Sequence, residues 1–172
     1  MSDPLGLILR IAHIFCGMFW AGAAIMLAAF IEPAIRALGP AGARFMERLM
    51  GPGRFGLYMT VASLITVATG LATMGLRSGG SHAMWLASGH GRTIIIGSVA
   101  GLVALVSGLA VDAPAAARLA RIGREIEGTG GPPRDDHLAE MSRLRSRLHT
   151  AGLVSAVLLS ISVIAMAAAR YM

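Results

Sequence analysis

Histidine is the side chain best suited to bind a metal or carry a proton near neutral pH. This chain has five: His13, His82, His90, His137 and His149. His13 stands apart because it lies in LILRIAHIFCGMFWAGAAIMLAAFIEP, residues 7–33, where almost every other side chain is apolar. An ionisable residue inside such a run is a functional candidate by default. A neutral imidazole there has the chemistry to ligate haem iron or copper, with the apolar surroundings tuning the metal's potential. At helical spacing Gly17, Trp20 and Ala24 share the histidine face, and Gly17 and Ala24 would leave room for a flat macrocycle. The plainer reading is a histidine hydrogen-bonded to a Ser or Thr across the helices, or to the carbonyl of a neighbouring turn.

Other groups carry weaker signals. Cys16 follows His13 by three residues, and a His/Cys pair suits copper, but a buried cysteine is more often a small apolar packing residue. As the only cysteine, it permits no internal disulfide. The methionines are scattered without an MxxM cluster and read as packing. Glu32 and Asp112 sit at span ends, where capping explains them better than proton transfer.

The elements that must position these residues are membrane helices. Of 172 residues, 55% are hydrophobic and only 14% charged, whereas soluble domains approach a quarter charged. Charge is segregated between four apolar segments, at about 7–31, 55–76, 93–111 and 148–169, each long enough to cross roughly 30 Å of hydrocarbon. The water-facing parts are too short for a second domain. The expected fold is all-α: one integral membrane four-helix bundle, with no cleaved signal peptide at its start.

Between the first two spans, Gly39-Pro40 and Gly51-Pro52-Gly53 bracket a short amphipathic segment expected to lie at the interface. Thr60, Ser63, Thr66, Thr69, Gly70 and Thr73 give the second span a small, weakly polar face suited to close packing and to hydrogen bonds across the contact. The third span carries Gly97 and Gly101 as a GxxxG pair, with Gly108 one heptad beyond. Asp112-Ala113-Pro114 ends that span and starts a surface helix. After the turn at 128–134, a helix from Asp135 runs into the fourth span, so residues 113–147 form a hairpin projecting into water. No internal sequence repeat is apparent.

All 15 basic residues are arginine, and the net charge is +6. They flank the apolar spans, so anionic lipid headgroups explain them better than nucleic acid, for which no aromatic-basic motif exists. The two loops at 36–54 and 118–147 hold eleven arginines, against four on the other side. That bias places both loops in the cytoplasm and both termini outside, in a bacterial inner membrane. His13 then lies in the outer half of its helix and His149 at the cytoplasmic interface, roughly 15–20 Å deeper by helical rise. His90 becomes the natural partner of His13, with His82 a third candidate. His149 is expected to face solvent or headgroups, and His137 solvent.

His13, Trp20-Ala21-Gly22 seven residues on, and Pro33 after the span together resemble the first helix of HemJ-type protoporphyrinogen oxidases. They are also similar to CopD-like and related four-helix membrane proteins. The stretch from Thr69-Gly70 through Trp85-Leu86 fits the same pattern, so the resemblance covers roughly the first 110 residues. It implies haem b ligated by the first-helix histidine, here His13, while CopD-like members imply copper handling. The HemJ family carries a lysine soon after its Trp-Leu pair, where this chain has His90 and Arg92. A second histidine there would complete a bis-His haem site.

The expectation is a haem-b protein for electron transfer or a haem-linked oxidation, with His13 and His90 as metal ligands and Gly17 and Trp20 beside the cofactor. The alternative is a cofactor-free accessory or assembly subunit that packs against other membrane-protein subunits. Copper handling comes third.

Overall fold

A computed structural model describes residues 4–51, 54–77 and 82–172 of the chain. All regular structure among these residues is helical. Helix α1 (Pro4–Met26) passes through a π-helical turn (Leu27–Ile31) into α2 (Glu32–Leu38), giving one 35-residue rod. Gly39, at φ 55°, turns the chain into α3 (Pro40–Met50). That corner is tight, because a Cβ at Gly42 would overlap the Ile35 carbonyl. Next come α4 (Phe55–Arg77) and the short α5 (His82–Ala87).

Helix α6 (Gly89–Ser107) starts at Ser88, whose hydroxyl accepts the Gly91 N–H at 3.0 Å and so satisfies one free amide of the first turn. It continues through a second π-helical turn (Gly108–Asp112) into α7 (Ala113–Thr129). Asp112-Ala113-Pro114 therefore does not break the helix as expected. A proline ring within a helix clashes with the carbonyl four residues back, and in both rods a π turn stands just ahead of the proline, where a widened turn relieves that clash. Pro33 and Pro114 each occupy the opening positions of the segment that follows. Gly130, left-handed at φ 61°, ends α7. Helix α8 (Asp135–Ala168) then runs 34 residues without interruption into a 3₁₀ turn (Ala169–Tyr171), as the sequence led one to expect.

Four of these helices are long and apolar enough to cross a membrane. They pack as two antiparallel pairs, α1 with α4 and α6 with α8, and the pairs meet through α1–α8 and α4–α6. Both described ends of the chain and α5 lie at one end of the molecule. Helices α2, α3 and α7, with most of the arginines, lie at the other.

Side-chain size is distributed in the reverse of a soluble protein. The interior is built from Ala21, Ala28, Ala62, Ala100, Ala104 and Ala156, with Trp20, Leu105, Ile122 and Leu159 as the large members. Phe15, Met18, Phe30 and Ile164 face outward, each about two-thirds exposed. Lipid is as apolar as leucine, so membrane helices gain by close backbone approach rather than by hiding large side chains. Gly97 shows this: an added Cβ would stand 3.1 Å from the Ser162 carbonyl oxygen.

The hydroxyl face of α4 behaves differently from expectation. Thr60, Ser63, Thr66, Thr69 and Thr73 all donate to carbonyls one turn back on α4 itself, at 2.6–2.9 Å. Each thereby satisfies itself within its own helix, as isolated hydroxyls in hydrocarbon must.

Candidate functional site

His13 lies on the stripe of α1 that carries Gly17, Trp20, Ala24 and Ala28, the stripe turned toward the other helices. Its Nδ1 is 2.7 Å from the Thr66 carbonyl oxygen of α4. A carbonyl only accepts, so Nδ1 carries a proton, and in a neutral ring the lone pair falls on Nε2. The same carbonyl also receives the Thr69 hydroxyl at 3.2 Å. Gly70 makes room for the ring: a Cβ there would stand 2.8 Å from His13 Cε1 and 3.0 Å from Nδ1. Thr66, Thr69 and Gly70 thus form a seat that holds the imidazole against the α4 backbone. Among the described residues no hydrogen bond reaches Nε2.

The neighbours expected to line a cofactor are used for packing. A Cβ on Gly17 would stand 3.2 Å from the Thr66 methyl, so the space beside Gly17 is filled by α4 and leaves no slot for a macrocycle. Trp20 is 7% exposed and sits among Ala21, Ala62, Ala104, Leu105 and Leu159, with Cys16 and Ala24 packed on the same cluster. Cys16 is free and half-buried, an apolar packing residue in this setting.

His90 makes a similar hydrogen bond elsewhere. Its Nδ1 donates to the Ala169 carbonyl at 2.6 Å, and its ring meets Trp85 edge-on, with centroids 6.4 Å apart. It clips the C-terminal end of α8 to the start of α6. Among the described residues the partners of the His90 ring are Ala169 and Trp85, and the partner of the His13 ring is Thr66. The side chain of His82 lies outside what is described.

The opposite end holds a pairing that sequence reasoning missed. His149, expected to face solvent or headgroups, has Nδ1 2.7 Å from Glu32 Oε1, an ion-pair distance at which the ring N–H is not pointed straight at the oxygen. Arg36 Nη2 donates to the same oxygen at 2.7 Å. Glu32 therefore ties α2 to α8 rather than capping. The pair joins residues 117 positions apart, and no local spacing announces it.

Along the α7–α8 hairpin, Arg118 grips Glu140 through two parallel hydrogen bonds of 2.6 and 2.9 Å. That grip holds the Glu140 carboxyl below its ordinary value. Among the described residues no three His, Cys, Asp or Glu side chains converge on a point where a metal ion would sit. The arrangement at His13 is instead a single imidazole held in orientation by the Thr66 carbonyl behind it.

No protein-family model, curated protein or solved structure matches the chain.

Proposed function

We propose that the chain is a four-helix bundle of a bacterial inner membrane that holds one haem b through His13 Nε2, for electron transfer or a haem-linked oxidation. Arginine bias puts the arginine-rich loops and the α7–α8 hairpin in the cytoplasm and His13 in the outer half of the bundle. One observation carries the reading. The Thr66 carbonyl and the Gly70 gap hold the His13 ring with Nδ1 as donor, and among the described residues no hydrogen bond reaches Nε2. A backbone carbonyl on the far nitrogen is the usual outer support of a metal-bound histidine.

The donor atom fits the group; the space beside Gly17 does not. We read the haem as held by His13 alone, because Gly17 and Trp20 are used in helix packing and His90 in its bond to Ala169. When bound, haem b supplies one-electron redox chemistry. The chain's own residues supply the ligand orientation: Thr66 accepts from Nδ1, and Gly70 lets the ring lie close to α4.

Visible spectra of the purified protein, made with haem available, test this. A Soret band is expected that His13→Ala abolishes and His90→Ala leaves unchanged. No band, or a band indifferent to His13→Ala, sinks the proposal. A band lost in His90→Ala with the fold intact sinks the single-ligand form.

A second reading is an accessory subunit that packs against other membrane proteins. It is favoured by the use of Gly17, Trp20 and His90 in helix packing. Gentle detergent extraction should then recover larger partners without a chromophore; a lone, haem-loaded protein would count against it. Copper handling has least support, since His13 and Cys16 gain no third ligand among the described residues.

A further inference from the structure

The contact between Glu32 and His149 differs in geometry from the other ties between helices. The Thr66 and Ala169 carbonyls and the Glu140 carboxylate each accept a directed hydrogen bond from the ring or guanidinium that faces them. His149 Nδ1 lies 2.7 Å from Glu32 Oε1, yet it is buried without a well-directed hydrogen bond. Two bare acceptors would repel at that distance, so Nδ1 carries a proton. With its N–H off line, a neutral ring gains little here, and the attraction rests on charge. The other ring nitrogen, Nε2, has no hydrogen bond and is not buried, so a proton can reach it.

The contact also joins two parts of the molecule that are otherwise loosely connected. Helix α2 has no buried residue. The one buried residue of α3 is Gly42, and what it meets is Ile35 of α2. The two helices thus pack mainly on each other, as an arm joined to the bundle through the first π turn and the start of α4. Glu32 follows that π turn directly, at the root of the arm, and His149 holds it there from α8. Both side chains are half-buried, where an ion pair is screened less than at the surface. Arg36 shares the same Glu32 oxygen but belongs to the arm itself, so it steadies the carboxylate without tying the arm to the bundle.

We propose that His149 is a proton-binding site that clamps the α2–α3 arm to α8. Uptake of a proton at Nε2 forms one N–H bond and breaks one O–H bond of the aqueous donor. The imidazolium then pairs with Glu32 and locks the root of the arm. As pH rises the proton leaves, Glu32 keeps Arg36 alone, and the arm is released. The charges that bear on Glu32 are those of His149 and Arg36. Of the elements packed against α8, α1 and α6 carry Arg10, His13, Cys16, His90 and Arg92 away from this end. The second π turn brings Asp112, and α7 brings Arg118, which already grips Glu140, with Arg121 on Glu125. On α8 itself Arg145 and Arg147 are exposed.

The clamp needs no cofactor, so its test is independent of haem. With Cys16 replaced by Ser, spin labels on Ala43→Cys of α3 and Ser146→Cys of α8, both exposed positions, report the arm in full-length protein in lipid nanodiscs. A narrow distance distribution is expected in mildly acidic buffer and a broadened one in alkaline buffer. His149→Gln should abolish this pH response. A response that survives His149→Gln, or no response in the parent protein, overturns the proposal. Should His149→Gln fail to fold, Glu32→Gln decides, because it keeps the shape of the pair and removes the charge: an unchanged response there overturns it. Asp112→Asn should leave the response intact; a response lost in that variant assigns the proton to Asp112 and also overturns the proposal.

Discussion

At the scale of single residues, the seat of His13 depends on a missing methyl group more than on any polar side chain. Gly70→Ala would put a Cβ 2.8 Å from His13 Cε1, with helix backbone behind it and little room to retreat. Overpacking of this kind costs about 1–3 kcal/mol, and here the relief is to expel the ring and break its bond to Thr66. Gly70→Ala should lower the unfolding midpoint in detergent and weaken or abolish any absorption that depends on His13. Gly75→Ala, on the same helix with open space at its Cβ, should do neither. Equal effects of the two would refute a specific seat. The sequence made His13 legible, because a histidine in an apolar run is conspicuous. It also made Gly70 visible as part of a small-residue face. It could not name the acceptor, since Thr66 offers its backbone carbonyl from 53 residues away, and backbone atoms leave no mark in a pattern of side chains. The Glu32–His149 pair was hidden for a related reason: each residue has an adequate local explanation, and only packing sets α2 beside α8.

At the scale of elements, the span centres were readable and their ends less so. Apolar runs mark where hydrocarbon lies, but a helix does not stop where hydrocarbon stops. Asp112-Ala113-Pro114 looked like the end of its span, yet that rod widens by a π turn and carries on, as the rod through Pro33 does. The α7–α8 hairpin followed from the turn at 128–134 and the helix expected from Asp135, while the grip of Arg118 on Glu140 appears only once the arms are packed. That grip has a definite pH signature in the part of the hairpin outside the spans. The Glu140 carboxyl is held below its ordinary 4.5 by the Arg118 hydrogen bonds. A depressed value means that the stabilisation is complete above the ordinary value and is lost as pH falls through the depressed one. Hydrogen-exchange protection in residues 113–140, corrected for the intrinsic pH dependence of exchange, should therefore stay flat from neutral pH down to about the ordinary carboxylate range, then fall below it. Glu140→Gln should show raised exchange already at neutral pH. An acid transition that persists unchanged in Glu140→Gln would assign it to another carboxylate.

At the scale of the whole molecule, small side chains inside and large ones outside make sense only if the solvent is lipid, and lipid gives the protein two distinguishable sides. The arginine-rich end carries α2, α3 and the hairpin; the other end carries the described ends of the chain. Moving eleven arginines across the membrane is far harder than moving four, which is the physical content of the positive-inside bias. With Cys16 replaced by Ser, a single cysteine at Gly131, on the exposed tip of the hairpin, should react with a membrane-impermeant maleimide in inverted vesicles and not in intact spheroplasts. A single cysteine at Met172, 72% exposed at the opposite end, should show the reverse. Labelling of position 131 from outside would invert the whole assignment and move His13 to the inner half. The helix packing would survive that result. Orientation therefore decides which side of the membrane His13 lies nearer, and this pair of labels decides orientation.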